Sequence, residues 1–310
     1  MSAMKTLILH HDNCMRHDTG ARHAERPERI GAVLNAVTAV SGVELLPAPR
    51  ASVDQLKRAH LGDYWERLVE LEPDENTERR VALDADTSLS AGSIDATLRG
   101  SGAVCFAIDQ ISSGRARNAF CVTRPPGHHA EAETAMGFCL LNHVAVGAHH
   151  ALASGAAGRV AIIDFDVHHG NGTQAIFENN PDVLFVSSHQ MPLYPGTGHP
   201  RETGCGNIVN LPLAPGDGSA EFRTAWSSRG LPEVRAFQPD LILVSAGFDG
   251  HRRDPLGQLQ LTDSDFAWIT SKIREIANEN CDDRLVSLLE GGYDLEGLAT
   301  ASTAHVAELT

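Results

Sequence analysis

Short runs of β-branched and other apolar residues recur along the chain and alternate with stretches whose apolar residues have helical spacing. Ile30, Val33, Leu34, Val37 and Val40 recur every three or four positions, which predicts a helix within residues 26–40. The segments that have the composition of strands are 6–11, 119–123, 160–164, 183–188, 207–211, 241–247 and 285–289. Because helical stretches separate most of them, we expect an α/β fold, with a mostly parallel central sheet and helices on both faces.

The N-terminal third has a less regular pattern. Residues 53–72 have helical spacing throughout, residues 73–80 (PDENTERR) form a charged surface loop, and a helix of small residues is expected over Ser88–Ile111. No internal repeat, low-complexity tract or obvious linker divides the chain. The 310 residues are 42% hydrophobic, enough for a large core, so we expect a single domain over residues 1–310.

Composition narrows the functional classes. The net charge of −15 disfavours nucleic acid as a partner and favours a cationic peptide or polyamine. No apolar run reaches the ~18 residues of a membrane span, and the first residues lack the pattern of a signal peptide, so we expect a cytoplasmic protein without a membrane partner. The six cysteines are scattered with no C-x-x-C pair, which suits reduced thiols and not a cysteine metal site.

Titratable residues cluster where the predicted strands end. Five strands are followed by glycine-rich loops: RPPGHHAE (124–131), FDVHHGNG (165–172), HQMPLYPGTG (189–198), FDGH (248–251) and EGGYD (290–294). Glycine and proline alone are common terminators of strands, but they do not explain the repeated His, Asp and Tyr beside them. Ligands of open α/β sheets bind outside the carboxyl ends of the strands, so we expect these loops to form one site.

The segment DFDVH contains the densest group of such residues. In an extended chain Asp164, Asp166 and His168 project to one side, whereas Phe165 and Val167 project to the other. Two buried carboxylates are costly unless they are paired or bind a cation, which favours a metal site.

Six blocks extend this pattern along the chain: RPPGHHA, GFCLLNHVAVGA, DFDVHHGNGTQ, SSHQMPLYPGTG, SAGFDGHRRDPLG and EGGYD. In this order they resemble the signature blocks of the zinc-dependent histone deacetylase family. The resemblance runs from HAERPERI near the N-terminus to the final helix. It implies the arginase/deacetylase fold, a three-layer αβα arrangement, and a zinc-dependent deacetylase that removes an acyl group by means of metal-activated water.

The resemblance implies that Asp166, His168 and Asp249 ligate one catalytic Zn²⁺, which suits the preference of catalytic zinc for three protein ligands of this kind. His129 is then expected to be the general base and His128 its electrostatic or proton-transfer partner.

The supporting residues follow from the same resemblance. Asp164 is expected to orient His128, and Asn171 takes the corresponding place beside His129, as in class II members. A neutral partner favours the proton-accepting form of His129. Tyr293 is expected to donate to the oxyanion, although a tyrosine after two glycines is equally typical of a turn residue with a buried ring.

Further roles are implied by analogy. Gly137, Phe138, Tyr194 and Leu256 match the substrate tunnel, for which core packing is the alternative explanation of the aromatic residues. Arg29 matches the arginine of the inner channel through which acetate leaves, or is an ordinary surface arginine. A structural K⁺ would be held by the residues Asp164, Asp166, His168, Ser187 and Ser188.

Departures from the family pattern are few. His143 replaces the second asparagine of the usual FNN, which affects local hydrogen bonding. Leu256 stands where polyamine-selective relatives have a glutamate, which favours an acylated lysine of a peptide or protein over an acylated small amine. An acetylpolyamine amidohydrolase and a non-catalytic acyl-lysine-binding module are the alternatives. An arginase-type enzyme is disfavoured, since it needs two metals.

The remaining histidines have no matching ligand role in the family. His169 and His189 are expected to support loops, and most of the other histidines are expected to lie at the surface or at caps.

Overall fold

Ten strands are present in the computed structural model, which describes residues 5–310. The strands are β1 (Thr6–His10), β2 (Val43–Pro47), β3 (Val81–Ala82), β4 (Ser88–Leu89), β5 (Asn118–Cys121), β6 (Val160–Asp164), β7 (Val183–Gln190), β8 (Ile208–Leu213), β9 (Leu241–Ala246) and β10 (Leu285–Leu289). Eight of them form one sheet in the order β2-β1-β5-β10-β9-β6-β7-β8, and each neighbouring pair in it is parallel. Strands β3 and β4 form a separate antiparallel pair.

Helices cover both faces of the sheet. They are α1 (Glu28–Val37), α2 (Val53–Leu56), α3 (Tyr64–Leu71), α4 (Ser93–Ser112), α5 (His143–Ser154), α6 (Asn171–Phe177), α7 (Ser219–Ala225), α8 (Leu231–Phe237), α9 (Asp263–Cys281) and α10 (Leu295–Leu309). A 3-10 turn at Asp12–Arg16 and a π-helical turn at Trp226–Gly230 complete the helical segments of residues 5–310. None of these helices is long and apolar enough to cross a membrane.

Two hydrophobic cores lie on opposite sides of the sheet. Ile162 of β6 and Leu243 of β9 belong to the core that α4 and α5 cover. Ile163 and Val244, one position further along the same strands, belong to the core that α1, α9 and α10 cover. Because successive side chains of a strand point to opposite faces, strands buried on both sides need near-continuous apolar runs, and these segments have them. The predicted three-layer α/β architecture is confirmed.

The N-terminal third contains the differences from the predicted elements. The continuous helix expected over 53–72 is wrong: α2 and α3 are separate helices, and Gly62 between them has φ +60°, a left-handed backbone that interrupts a helix. The helix expected from Ser88 begins only at Ser93, because Ser88 is in a strand and Gly92 has φ +91°. Strand β2 was not predicted. The extent of the domain, 1–310, stays a prediction, since residues 1–4 lie outside the described part.

A buried ion cluster ties the N-terminal segment to the loop after β5. The carboxylate of Glu25 accepts two hydrogen bonds from Arg124, each of 2.7 Å, and one from Arg29 of 3.1 Å. All three side chains are fully buried. Burial opposes ionisation of Glu25, yet the guanidinium of Arg124, with Arg29, lowers its pKa to about 2. Arg124 also donates to the backbone carbonyls of Cys14 and His17, so one side chain holds the 3-10 turn at Asp12–Arg16 and the residue that follows it.

We expect Glu25→Ala to lower the free energy of unfolding by about 3–5 kcal/mol, because it leaves two guanidinium groups buried without their counterion. Urea denaturation of the purified protein measures this. Glu279→Ala, which removes the partner of Arg235 from a half-exposed ion pair, is the matched control and should change the midpoint little. Equal effects of the two substitutions would contradict the role of the buried cluster.

Candidate active site

The polar loops predicted to meet do so at the carboxyl edge of the sheet. Loops after β5, β6, β7, β9 and β10 surround one cavity of about 270 Å³. Its lining residues are Asp86, His129, Gly137, Phe138, His168, Leu193, Tyr194, Leu256 and Tyr293. The convergence follows from the parallel sheet, in which every strand of the site ends at the same edge.

Asp166, His168 and Asp249 form the one group of possible metal ligands found within residues 5–310, with ligand atoms within 4.8 Å of one another. His168 Nδ1 lies 3.1 Å from Asp166 Oδ1 and 3.0 Å from Asp249 Oδ2. The backbone amides of Val167 and Gly291 donate to Asp249 Oδ1 and Asp166 Oδ2, each at 2.8 Å. Each carboxylate therefore has one oxygen held by the backbone of another loop and the other oxygen turned toward the imidazole, and in Asp166 that second oxygen also accepts from the amide of His168 at 2.9 Å.

The donor set and its electrostatics fit a divalent cation. Asp166 and Asp249 are almost fully buried. Burial, followed by the negative charge of Asp166, raises the pKa of Asp249 to about 7. Two carboxylate oxygens and an imidazole nitrogen are ligands that Zn²⁺ accepts, and a bound cation removes the repulsion that disfavours ionised Asp249.

Close backbone approach makes room for these carboxylates. A Cβ atom added to Gly247 would lie inside van der Waals contact of the Asp166 carboxylate, and one added to Gly291 would meet the carboxylates of both Asp166 and Asp249. Glycine is therefore needed at both positions for the ligands to occupy their present places.

The tandem histidines lie beside this group with different partners. Their ring centroids are 4.0 Å apart. His128 Nδ1 lies 2.9 Å from Asp164 Oδ2, and His129 Nδ1 lies 2.9 Å from Asn171 Oδ1. The pairings expected from the sequence, an aspartate for one histidine and an asparagine for the other, are thus present.

The surroundings of the two histidines shift their pKa values in opposite directions. Burial opposes the charged form of both rings. The carboxylates of Asp164 and Asp166 overcome it and raise the pKa of His128 to about 10. For His129, burial, together with the positive charges of His128 and His168, holds the pKa well below its ordinary value. At neutral pH the pair therefore consists of an imidazolium and a neutral imidazole, an arrangement suited to acid and base roles.

Tyr293 lies in the same cavity at the end of β10. Its backbone amide donates to Asp254 Oδ2 at 2.6 Å, and the next residue, Asp294, caps α10 by accepting from the amide of Gly297. Burial, followed by the charge of Asp249, raises the pKa of the Tyr293 phenol well above its ordinary value. The hydroxyl therefore stays protonated and able to donate, and Tyr293 lines the cavity, unlike a turn residue that faces away from it.

The residues expected to form the tunnel line the cavity. The ring of Tyr194 stands 5.2 Å from that of His129 and is 39% exposed, so it lies at the mouth. The ring of Phe138 stands 6.0 Å from that of Tyr293. Gly137 and Leu256 complete the predicted wall.

Arg29 is not an ordinary surface arginine. It is fully buried, its Nε donates to Gly292 O at 2.6 Å, and its Nη2 donates to Glu290 O. Its guanidinium carbon lies 4.9 Å from the centre of the Tyr293 ring. Arg29 thus supports the tyrosine loop from behind, and its channel role stays a prediction.

The residues expected to hold K⁺ are near one another on neighbouring strands. Asp164 is paired in register with Ser187, and both are buried. The hydroxyl of Ser187 bonds to His189 Nδ1 at 3.0 Å, and that of Ser188 accepts from Trp226 at 3.0 Å. The potassium assignment stays a prediction.

Several site residues were missed by the sequence reasoning. Asp86 and Leu193 line the cavity. Glu290 is buried beside the tandem histidines, where its Oε2 accepts from the amides of Gly127 and His128 at 2.6 and 3.2 Å. Leu193 and Glu290 could have been identified from the sequence, because each lies in one of the glycine-rich loops that follow the strands. Asp86 stands in an ordinary polar loop, where a carboxylate is unremarkable.

The expectation that most other histidines are at the surface or at caps is wrong. Seven are buried: His10, His17, His60, His143, His150, His251 and His305. His143, the departure from FNN, bonds to Ser101 Oγ at 2.9 Å and Pro125 O at 3.1 Å, so it fills a structural niche. His169 and His189 support loops, as expected: they bond to Thr197 Oγ1 at 2.8 Å and Gly198 O at 3.0 Å.

Comparisons with known proteins agree with this geometry. Residues 23–309 match the family model described as the histone deacetylase domain. The solved structure titled "Crystal Structure of HDA15 HD domain" superimposes with a TM-score of 0.89 at 33% sequence identity, covering 98% of this chain and 90% of that one.

Three similar curated proteins come from different organisms. A probable deacetylase of Archaeoglobus fulgidus is 37% identical over 303 residues, covering 95% of this chain and 83% of that protein. A histone deacetylase-like amidohydrolase of Pseudomonas aeruginosa is 37% identical over 298 residues, covering 94% and 77%. Type-2 histone deacetylase 2 of Dictyostelium discoideum is 35% identical over 338 residues, and the match covers 94% of this chain and 20% of that much longer protein.

We expect Gly137→Ala to destabilise the protein by about 2 kcal/mol or more. Gly137 has φ +57°, and an added Cβ would lie 2.7 Å from Cγ of His129. Gly216→Ala is the control, because Gly216 has φ +92° with nothing within 4 Å of the added Cβ, so it meets backbone strain alone. Thermal and urea unfolding measure both, and an equal loss in the two variants would show that the His129 ring yields to the methyl group without cost.

Proposed function

Because this chain belongs to the histone deacetylase family, we propose that it is a zinc-dependent deacetylase that hydrolyses the amide of an acetylated lysine or a related acyl-amine. One observation carries the proposal. A group of possible metal ligands, a pair of histidines with opposed pKa shifts and a protonated tyrosine each contribute a residue, namely His168, His129 and Tyr293, to one cavity with apolar and aromatic walls. Together they would supply a metal-activated water, a proton acceptor and a hydrogen-bond donor for the oxyanion, which suits metal-assisted hydrolysis of an amide.

Asp166, His168 and Asp249 would hold the metal. When bound, Zn²⁺ would polarise the amide carbonyl and acidify a water molecule. Two carboxylate ligands largely neutralise the ion and weaken this acidification. A general base beside the site is therefore needed, which supports a catalytic part for the histidines.

His129 is the proposed base. It is neutral at physiological pH, lines the cavity, and has its Nδ1 engaged by Asn171, which leaves Nε2 to take a proton from water. His128 is proposed to remain an imidazolium between Asp164 and Asp166, where it stabilises negative charge that develops nearby. Tyr293 would donate its hydroxyl hydrogen to the oxyanion formed at the amide carbon.

The cavity favours a slender acyl-lysine side chain. Phe138, Leu193, Tyr194 and Leu256 present apolar and aromatic surface to the methylene groups of such a substrate. Acetylpolyamines are the second candidate, because Asp86 also lines the cavity and offers a carboxylate to a distant ammonium group. Leu256 offers no such charge, so we rank the lysine substrate first.

The metal assignment predicts that Asp249→Ala loses the metal. Elemental analysis of the purified wild type should find about one tightly held zinc ion per chain, and the variant should hold little, since a ligand is gone. Asp182→Ala, which removes an exposed carboxylate, should keep the full content. Full zinc in Asp249→Ala would exclude this site.

The oxyanion role predicts that Tyr293→Phe lowers kcat by about 10²–10³-fold and changes KM far less, because the hydroxyl acts in the transition state. Turnover is measured with acetyl-lysine peptides, longer acyl-lysine peptides and acetylpolyamines, which also ranks the substrates. A hydroxamate should still bind the variant, since the metal ligands are intact. A non-catalytic binding module would show no wild-type turnover with any of these substrates.

A further inference from the structure

The proposed role of His129 requires one tautomer of its ring. A neutral imidazole carries one proton, so Nε2 can accept a proton from water only if Nδ1 carries the hydrogen. The partner of Nδ1 is Asn171, whose side chain contains both an acceptor, Oδ1, and a donor, Nδ2. Asn171 alone therefore permits both tautomers, because its amide can turn either group toward the ring.

Glu131 removes this ambiguity. Asn171 Nδ2 donates to Glu131 Oε1 at 3.0 Å. An ionised carboxylate can only accept hydrogen bonds, so the amide nitrogen must face Glu131 and the amide oxygen must face His129. The oxygen can only accept, so His129 Nδ1 must carry the hydrogen.

We propose that Glu131 is a positioning residue that acts through Asn171 to fix His129 in the tautomer with a free lone pair on Nε2. This inference rests on the proposed function insofar as His129 is the base, but the tautomer itself is a property of the ring and is measured without turnover.

The surroundings of Asn171 support the same orientation. Its Nδ2 also lies 3.3 Å from Met136 Sδ and 3.4 Å from His129 O, both of them acceptors. Glu131 is the charged and therefore the strongest acceptor of the three. Asn171 itself is 7% exposed and opens α6, and the next residue, Gly172, packs so closely on the Ala130 carbonyl that an added Cβ would overlap it. The helix and the histidine loop are thus held in fixed relation.

The arrangement separates orientation from charge. His128 has a carboxylate, Asp164, as its direct partner, and its charged form is stabilised. His129 has an amide between its ring and the carboxylate of Glu131, so the negative charge lies one side chain further away. The amide of Asn171 determines which nitrogen of His129 donates. The greater distance between the Glu131 carboxylate and the ring weakens the attraction between that carboxylate and a charged His129. His129 is therefore oriented without losing its neutral form.

The first test is Glu131→Gln. Glutamine offers both a donor and an acceptor, so the chain of hydrogen bonds can reverse and place the hydrogen on Nε2 of His129. We expect kcat to fall about 10-fold or more with KM changed less than about 3-fold, because the substrate wall is untouched. Glu133→Gln, an exposed glutamate two positions along the same loop, is the control and should retain wild-type kinetics.

The second test exchanges the two side-chain types. In Asn171→Asp, two carboxylates face each other at about the present 3.0 Å, so we expect impaired turnover. In the double variant Glu131→Gln with Asn171→Asp, an acceptor-only aspartate faces His129 and the glutamine amide donates to that aspartate. We expect the double variant to be at least about 3-fold more active than Glu131→Gln at a pH above the pKa of His129, which the aspartate beside the ring raises, a coupling that a purely structural role for Glu131 does not produce.

The tautomer is read directly from the ¹⁵N shifts of the His129 ring in the zinc-loaded protein, assigned by their loss in His129→Gln. At a pH where His129 is neutral, wild type and the double variant should show a protonated Nδ1 and an unprotonated Nε2, whereas Glu131→Gln should show the other tautomer or a mixture. Glu131→Asp keeps a group that only accepts hydrogen bonds, so it should retain the wild-type ¹⁵N shifts. It serves as a test even if Asn171→Asp and the double variant are unstable.

Wild-type shifts in Glu131→Gln, or a double variant no more active than Glu131→Gln, would overturn the inference. A wild-type protein without turnover on any acyl-amine but with the expected shifts would instead overturn the proposed function and leave the positioning role standing.

Discussion

Carboxylates buried at the carboxyl edge of the sheet hold the site together, because each must find hydrogen-bond donors away from water. Asp166 accepts from the amide of Gly291, Asp249 from that of Val167, and Glu290 from those of Gly127 and His128. Each bond joins the loops that follow two different strands. A buried carboxylate without donors costs several kcal/mol, so the loops cannot separate cheaply. The loops of the site are thus held in position by the hydrogen bonds that their buried carboxylates require.

The same charges determine the chemistry of the histidine pair. Burial in common would leave both rings neutral, and the difference between them comes from their partners. Asp164 stabilises the charged form of His128, and that charge in turn disfavours a second proton on His129. Asn171, the partner of His129, is neutral and so preserves this difference in pKa between the two rings. A carboxylate beside one ring and a neutral amide beside the other thus help to give two adjacent, chemically identical side chains different pKa values.

The sequence predicted the architecture and the main site residues because both have local signals. Apolar runs such as 160–164 identify the central strands, and polar residues directly after them must meet at one edge of a parallel sheet. Residues whose roles depend on distant parts of the chain were harder to assign. Glu131 meets Asn171 forty positions away, and Arg29 supports a loop more than 260 positions away. The break in the helix expected over 53–72 escaped detection because the apolar pattern continues across the turn residues between α2 and α3, among which Gly62 has a left-handed backbone.

The glycines that face the carboxylates of Asp166 and Asp249 restrict how this centre can evolve. Every other amino acid has a Cβ, so any missense change at Gly247 or Gly291 drives an atom into the carboxylates that are proposed to hold the metal. Single substitutions at these two glycines are therefore not tolerated beneath the cavity. The walls are different, since Leu193, Tyr194 and Leu256 line the cavity without such contacts from ligand carboxylates, and Tyr194 is partly solvated. A lineage descended from this chain would diversify its substrates from the rim downward, with the reacting centre inherited unchanged.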